Sequence, residues 1–183
     1  MESLQGHLLI SSPQLLDPNF LRTVILIVQH NEDGALGVTL NRKTDATLKQ
    51  VWGQVSQSPC ESEEFLHLGG PCQGPLLAIH TDESLGNIEI LPGIYYSAES
   101  DKLEQLVADN EKLVRFFAGY AGWGAGQLEK ELDAGAWQTA AATGNYVFHD
   151  GDDLWHTVRK DIASSVIVST LKIKHVPEDP SLN

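Results

Sequence analysis

The chain has 183 residues, with 12 Lys and Arg against 25 Asp and Glu, a net charge of −13, and 42% hydrophobic residues. That length suits one domain with its own core, and that composition fits neither a disordered chain nor a membranous one. A surface this acidic repels a phosphate backbone, and the short basic pairs Arg42-Lys43 and Lys172/Lys174 are too interrupted to form a nucleic-acid footprint.

His7 to Ile10 reads as a first strand, closed by Ser11-Ser12-Pro13. Asp17-Pro18 reads as a cap followed by proline, starting one helical turn. Thr23 to Gln29 is β-branched and apolar, which predicts a strand covered on both faces. Asn31-Glu32-Asp33-Gly34 is turn chemistry, and Ala35 to Leu40 returns as the second arm of a hairpin. Leu48, Val51, Trp52 and Val55 then switch to helical spacing. Ser56 to Glu64 is a polar loop, followed by strands at Phe65–Leu68, Leu76–His80, Ile88–Leu91 and Ile94–Tyr96. Ser100 is placed as the cap of a helix carrying Leu103, Leu106 and Val107, and Leu113 to Phe117 is a further strand. Gly119 to Gly126 reads as a glycine-rich turn into a short helix, Gln127 to Leu132. Strands are expected at Trp137–Ala142 and Tyr146–Phe148, then a helix capped by Asp152 or Asp153, and a last strand at Val166–Leu171. Short turns between consecutive strands demand antiparallel pairing. The expected fold is therefore α/β of the α+β type. It is a single compact domain over 1–176, with a mixed, mostly antiparallel sheet curled into a partial barrel and flanked by helices. Residues 177–183 form a mobile tail in this reading.

Cys60 and Cys72 make no CxxC pair or disulfide framework, and MESLQGH lacks a signal peptide's basic and apolar regions. The longest apolar run, Val24 to Val28, falls far short of the roughly 20 residues of a membrane span. These features predict a cytoplasmic protein. The seven histidines (7, 30, 67, 80, 149, 156 and 175) show no metal-ligand spacing, so no metal and no cofactor are expected. There is no G-x-S-x-G elbow, and the acid-flanked Cys60 lacks an activating setting.

Two glycine clusters remain. Gly119, Tyr120, Gly122, Trp123 and Gly124, with Gln127 opening the helix, let a backbone approach a ligand or partner closely; the alternative is a tight turn with its aromatics in the core. Gly69 and Gly70 before Pro71 suit a reversal or a bulge. Asp17, Arg22, His30 and Asn41 are polar groups at strand ends, where sites form and where polar residues must go in any case. Arg22 is placed to pair with Asp17.

In order along the chain, Gly6-x-Leu8-Leu9-Ile10 through Asp17, Phe20 and Arg22-Thr23-Val24, then His30-x-x-x-Gly34-Ala35-x-Gly37 with Asn41-Arg42, then Leu68-Gly69-Gly70-Pro71 and His80, then Gly119-Tyr120-Ala121-Gly122-Trp123 with Gly126-Gln127-Leu128-Glu129-x-Glu131-Leu132 and Trp137, resemble the YqgE/AlgH family of bacterial proteins. The chain departs from the pattern at Ala125, where many members carry Pro. The resemblance implies a compact α/β fold with a barrel-like mixed sheet and a regulatory role. It carries no catalytic residue over. The leading expectation is a non-enzymatic module whose glycine-aromatic surface binds a protein partner or small ligand, with no nucleic acid and no membrane. The alternatives are an enzyme built from Asp17, Arg22, His30 and Asn41, and a regulator that binds DNA directly.

Overall fold

The computed structural model describes residues 2–109 and 111–171, with side chains to residue 166. The expected tail at 177–183 lies outside the described residues. Among the described residues ten strands pair into one sheet: β1 (His7–Ser11), β2 (Val24–Asn31), β3 (Gly34–Thr39), β4 (Lys43–Thr47), β5 (Phe65–Leu68), β6 (Cys72–His80), β7 (Ile88–Leu91), β8 (Ile94–Ser97), β9 (Val114–Gly124) and β10 (Trp137–Ala141). Five α-helices accompany them: α1 (Leu48–Val51), α2 (Ser100–Ala108), α3 (Gln127–Asp133), α4 (Gly144–Val147) and α5 (Leu154–Leu171).

The main path runs β10-β1-β2-β3-β9-β6-β8-β7. It ends at β10 and β7, so the sheet is open and does not close into a barrel. All pairings on this path are antiparallel. β4 pairs antiparallel with β5, and β5 pairs parallel with β9. β9 is the spine. One of its edges is taken by β6, and the other is shared in succession by β5 at Phe117–Ala118 and β3 at Ala121–Gly124.

β2 is buried on both faces, as its unbroken apolar run requires. Val24, Leu26 and Val28 join a core under α5 with Leu154, Trp155 and Val158. Ile25 and Ile27 join a second core with Leu128 of α3, Trp123 and Trp137. A third core lies under α1 and α2, around Leu48, Trp52, Leu103, Leu106 and Phe116.

Several expectations change. Residues 119–124 are strand rather than turn, because β6 and β3 claim their backbone groups. Residues 146–148 are not a strand: Thr143 accepts the Tyr146 N–H and caps α4. The β-branched run 166–171 continues α5 instead of forming a last strand, since the helix begun at Leu154 carries through it. The cap of α2 is Glu99, not Ser100. Lys43–Thr47 forms a strand that has no apolar alternation to announce it.

The three-way junction on β9 is possible only where side chains are missing. Gly69 donates its N–H to Ala118 O at 2.9 Å and accepts from Thr39 N–H at 2.8 Å, stitching β5 to β9 and to the end of β3. A Cβ on Gly69 would stand 2.2 Å from Gly119 O. Gly119 itself has φ 72°. A Gly69→Ala substitution is expected to destabilise strongly, by roughly 1–3 kcal/mol or more, because a backbone atom must yield. Gly126, with φ 69° and open space around its Cβ position, is expected to lose only about 1 kcal/mol as Gly126→Ala. Urea unfolding of the two variants side by side checks the contrast.

Candidate functional site

The glycine-aromatic motif folds into a clamp that docks α3. Trp123 is 6% exposed and sits among Phe20 and Trp137. Its Nε1 donates to Glu131 Oε2 at 3.0 Å, and Trp137 Nε1 donates to the same oxygen at 2.8 Å. Gln127 accepts from Gly124 N–H and donates to Glu131 Oε1. Trp123 is therefore core, not the open face of a binding surface, while Tyr120 is the half-buried member, its ring lying against Gly74 and Gly122. Gly70 packs its backbone onto Tyr120.

The strand-end group does not assemble into one site. His30 Nδ1 accepts the Leu4 N–H at 3.0 Å, which leaves the proton on Nε2 to donate to Glu129 at 2.9 Å. Asn41 holds the other end of β2: its Oδ1 accepts from Val24 N–H and its Nδ2 donates to Arg22 O. His30 lies six residues along β2 from Val24, about 20 Å away at strand rise. Asp17 accepts from Asn19 N–H and from the Phe20 and Leu21 N–H groups through its carbonyl. Among the described residues no ion pair joins Asp17 to Arg22; Arg22, at φ 54°, lies over the Trp155 ring at 5.9 Å. His80 and Ser97 stand 3.0 Å apart, yet both are fully buried and the hydroxyl donates to Leu85 O, so the pair is structural.

The chemistry collects on the other half of the sheet. Lys43 of β4 is the cross-strand partner of His67 of β5, and His67 is partnered with Phe117 of β9. Paired residues share a face, and so does the residue two positions along a strand. Lys43, His67 and Arg115 therefore line up on one face. They border a cleft of about 450 Å³ together with Lys112, Glu64 and Asp150. Three cations face two carboxylates there, a local reversal of sign in a chain of net charge −13.

Arg115 forms the floor. It is 6% exposed and donates to Val147 O, His149 O and Asp150 Oδ1, pinning the 147–150 segment at 2.9–3.0 Å. Burial lowers its pKa, and Asp150 opposes the shift. Lys43 Nζ lies 4.5 Å from the Phe65 ring centroid and is otherwise exposed. His67 is 8% exposed, and its Nδ1 has no hydrogen-bond partner among the described residues. Burial first, then the charges of Arg115 and Lys43, push the ring's pKa down to about 4, so it is neutral at pH 7. The carboxyl of Glu64 is held above its ordinary value, by burial and then by Asp150. A second orphan, Trp52 Nε1, lines a cleft containing Glu61, Glu63, Glu64 and Glu104, where acceptors are already plentiful.

The sequence reading brought none of these six cleft residues together: Lys43 was weighed only in a basic pair with Arg42, and His67 only among the histidines. The signal that would have found them is a polar residue inside an apolar strand, as in Val114-Arg115-Phe116-Phe117 and Leu66-His67-Leu68. Buried charge survives in such places only with partners or a task.

The family profile described as AlgH-like matches residues 8–166. A UPF0301 protein of Chlorobium limicola is 39% identical over 186 residues, covering 97% of this chain and 95% of that protein. One from Myxococcus xanthus is 38% identical over 162 residues, covering 86% and 90%. The solution structure of the AlgH protein from Pseudomonas aeruginosa superposes with a TM-score of 0.73 at 31% identity, covering 96% of each chain. A crystal structure of a Corynebacterium diphtheriae protein gives 0.69 at 25% identity, over 88% and 87%.

Two outcomes are expected of this architecture. Trp123→Ala should cost roughly 3–5 kcal/mol in denaturant unfolding, more than Tyr120→Ala, because it empties a core and removes one of the three donors to the Glu131 carboxylate. Stability should also fall as the pH drops from about 6.5 toward 4. In that window the unfolded His67 binds a proton that the folded ring refuses, so the term is fully present above the unfolded pKa and is lost toward the folded one. The lost increment is of the order of 3 kcal/mol. His80, whose pKa burial also lowers, adds in the same direction. A His67→Gln variant should show a flatter pH profile.

Proposed function

As the chain belongs to the AlgH-like family, we propose from its own geometry that it is a binding module for a small anionic ligand, held between Lys43, Lys112, Arg115 and His67. The observation that carries this reading is the convergence of Lys43, Lys112 and Arg115 on one cleft of an acidic chain, with the buried His67 ring, its Nδ1 without a hydrogen-bond partner among the described residues, in the wall. A buried polar atom without a partner costs about 1–3 kcal/mol, and a ligand oxygen is the group that would offset it. The Arg115 floor is rigid, so the positive field is in place before a ligand arrives. Lys43 and Lys112 are exposed and free to close on an anion.

The cleft volume favours a small molecule over a nucleic-acid duplex, in keeping with the overall acidity. A regulatory role in the cytoplasm, suggested by family resemblance, would operate through occupancy of this cleft.

Inorganic phosphate is expected to bind in the millimolar range or tighter, perturbing the His67 ring resonances in an NMR titration. The Lys43→Ala/Lys112→Ala pair should weaken it about tenfold or more, a loss of roughly 1.4 kcal/mol. Between about pH 6 and 4, where phosphate stays a monoanion, affinity should rise as His67, with its pKa at about 4, takes up a proton and adds a positive charge. An unmoved His67 resonance at saturating phosphate would refute the reading.

A further inference from the structure

We infer that the ligand is not a bare anion but an anionic head on an apolar body of about the size of an aromatic ring. The body lies across Leu113 and Phe148 into a second cleft while the head is held by the cations. This inference rests on the anion-binding reading above.

The second cleft has a volume of about 590 Å³ and shares Leu113, Phe148 and Asp150 with the first. Beyond those three, its apolar wall is Pro92 and Ile94, and it contains no Lys or Arg. The head therefore belongs in the first cleft, and an uncharged group belongs in the second. The boundary between them is low. Leu113 is 59% exposed, and the Asp150 side chain is 93% exposed although it pairs with the buried Arg115. A leucine that open, at the seam of two clefts, presents apolar area that a ligand body would remove from water. The seam is also held still, since Arg115 fixes residues 147, 149 and 150. Thr81 and Asn145 supply polar atoms at the rim of the second cleft.

Gly144 offers a way to fill that cleft alone. It opens α4 and lines the second cleft but not the first. A Cβ there meets Ile94 Cδ1 at 3.7 Å, an ordinary contact, so a longer side chain extends into the cleft without a backbone clash.

The test is a calorimetric titration of the full chain with inorganic phosphate, phenyl phosphate and phenylacetate. Phenyl phosphate should bind roughly tenfold tighter than phosphate to the unaltered protein, from burial of the ring. Gly144→Leu should erase that gain and leave phosphate binding unchanged. Leu113→Ser, at an exposed position where folding is not at stake, should reduce the gain as well. Phenylacetate binding comparably to phenyl phosphate would identify the head as a carboxylate-type anion. Phenylacetate failing to bind would identify it as phosphate, and both results keep the apolar body. Equal affinity for phosphate and phenyl phosphate would overturn the inference while leaving the anion site standing, as would a gain that survives both substitutions. Binding of neither phosphate nor phenyl phosphate would overturn the anion site and the inference together.

Discussion

The fold depends on a backbone crossing too close for side chains. Where β5, β3 and β6 all meet β9, a Cβ on Gly69 would lie 2.2 Å from Gly119 O, and one on Gly70 would lie 2.3 Å from Tyr120 O. Every N–H and C=O at this junction must find a partner in a space that excludes water. The glycines allow it by letting chains approach until their own backbone groups serve one another. β9 can then run eleven residues through both halves of the sheet. The flanking cores, one under α5, one under α3 and one under α1 and α2, are positioned by that single strand.

The same strand separates two kinds of polar chemistry. Its C-terminal end carries Trp123 into a clamp where the two oxygens of Glu131 take two indole N–H groups and an amide. Every polar atom there is answered, which makes it a structural lock. Its N-terminal end carries Arg115 beneath a cleft where an imidazole nitrogen is unanswered. A protein stabilises itself with satisfied networks and keeps incomplete ones where something else is to complete them.

Electrostatics reinforce the division. The chain as a whole repels anions at long range, so a small anion gains from the cleft only at short range, where Lys43, Lys112 and Arg115 are closer than a Debye length of about 8–10 Å. A site of that kind discriminates by fit and local charge, not by steering. His67, neutral at pH 7 and adjacent to these cations, links occupancy to proton uptake.

Much of this was legible from residue pattern alone. The two-faced burial of β2, the hairpin at Gly34, the helix beginning near Leu154 and the mostly antiparallel sheet follow from apolar periodicity and turn residues, which act over a few neighbours. The glycine-aromatic segment was also visible, but its meaning was not. Gly119 to Gly124 became strand, and Trp123 became core, because β3 and β6 arrive from roughly 50–90 residues away and claim that backbone. The cleft was hidden for the same reason. Lys43, His67 and Arg115 sit far apart in sequence, and only the β4-β5-β9 register sets them on one face. Local propensity is a property of short stretches, and so the sequence by itself determined most of the elements, but not β4 or the strand course of residues 119–124. Which side chains meet is decided by long-range strand register, and that belongs to the tertiary structure alone.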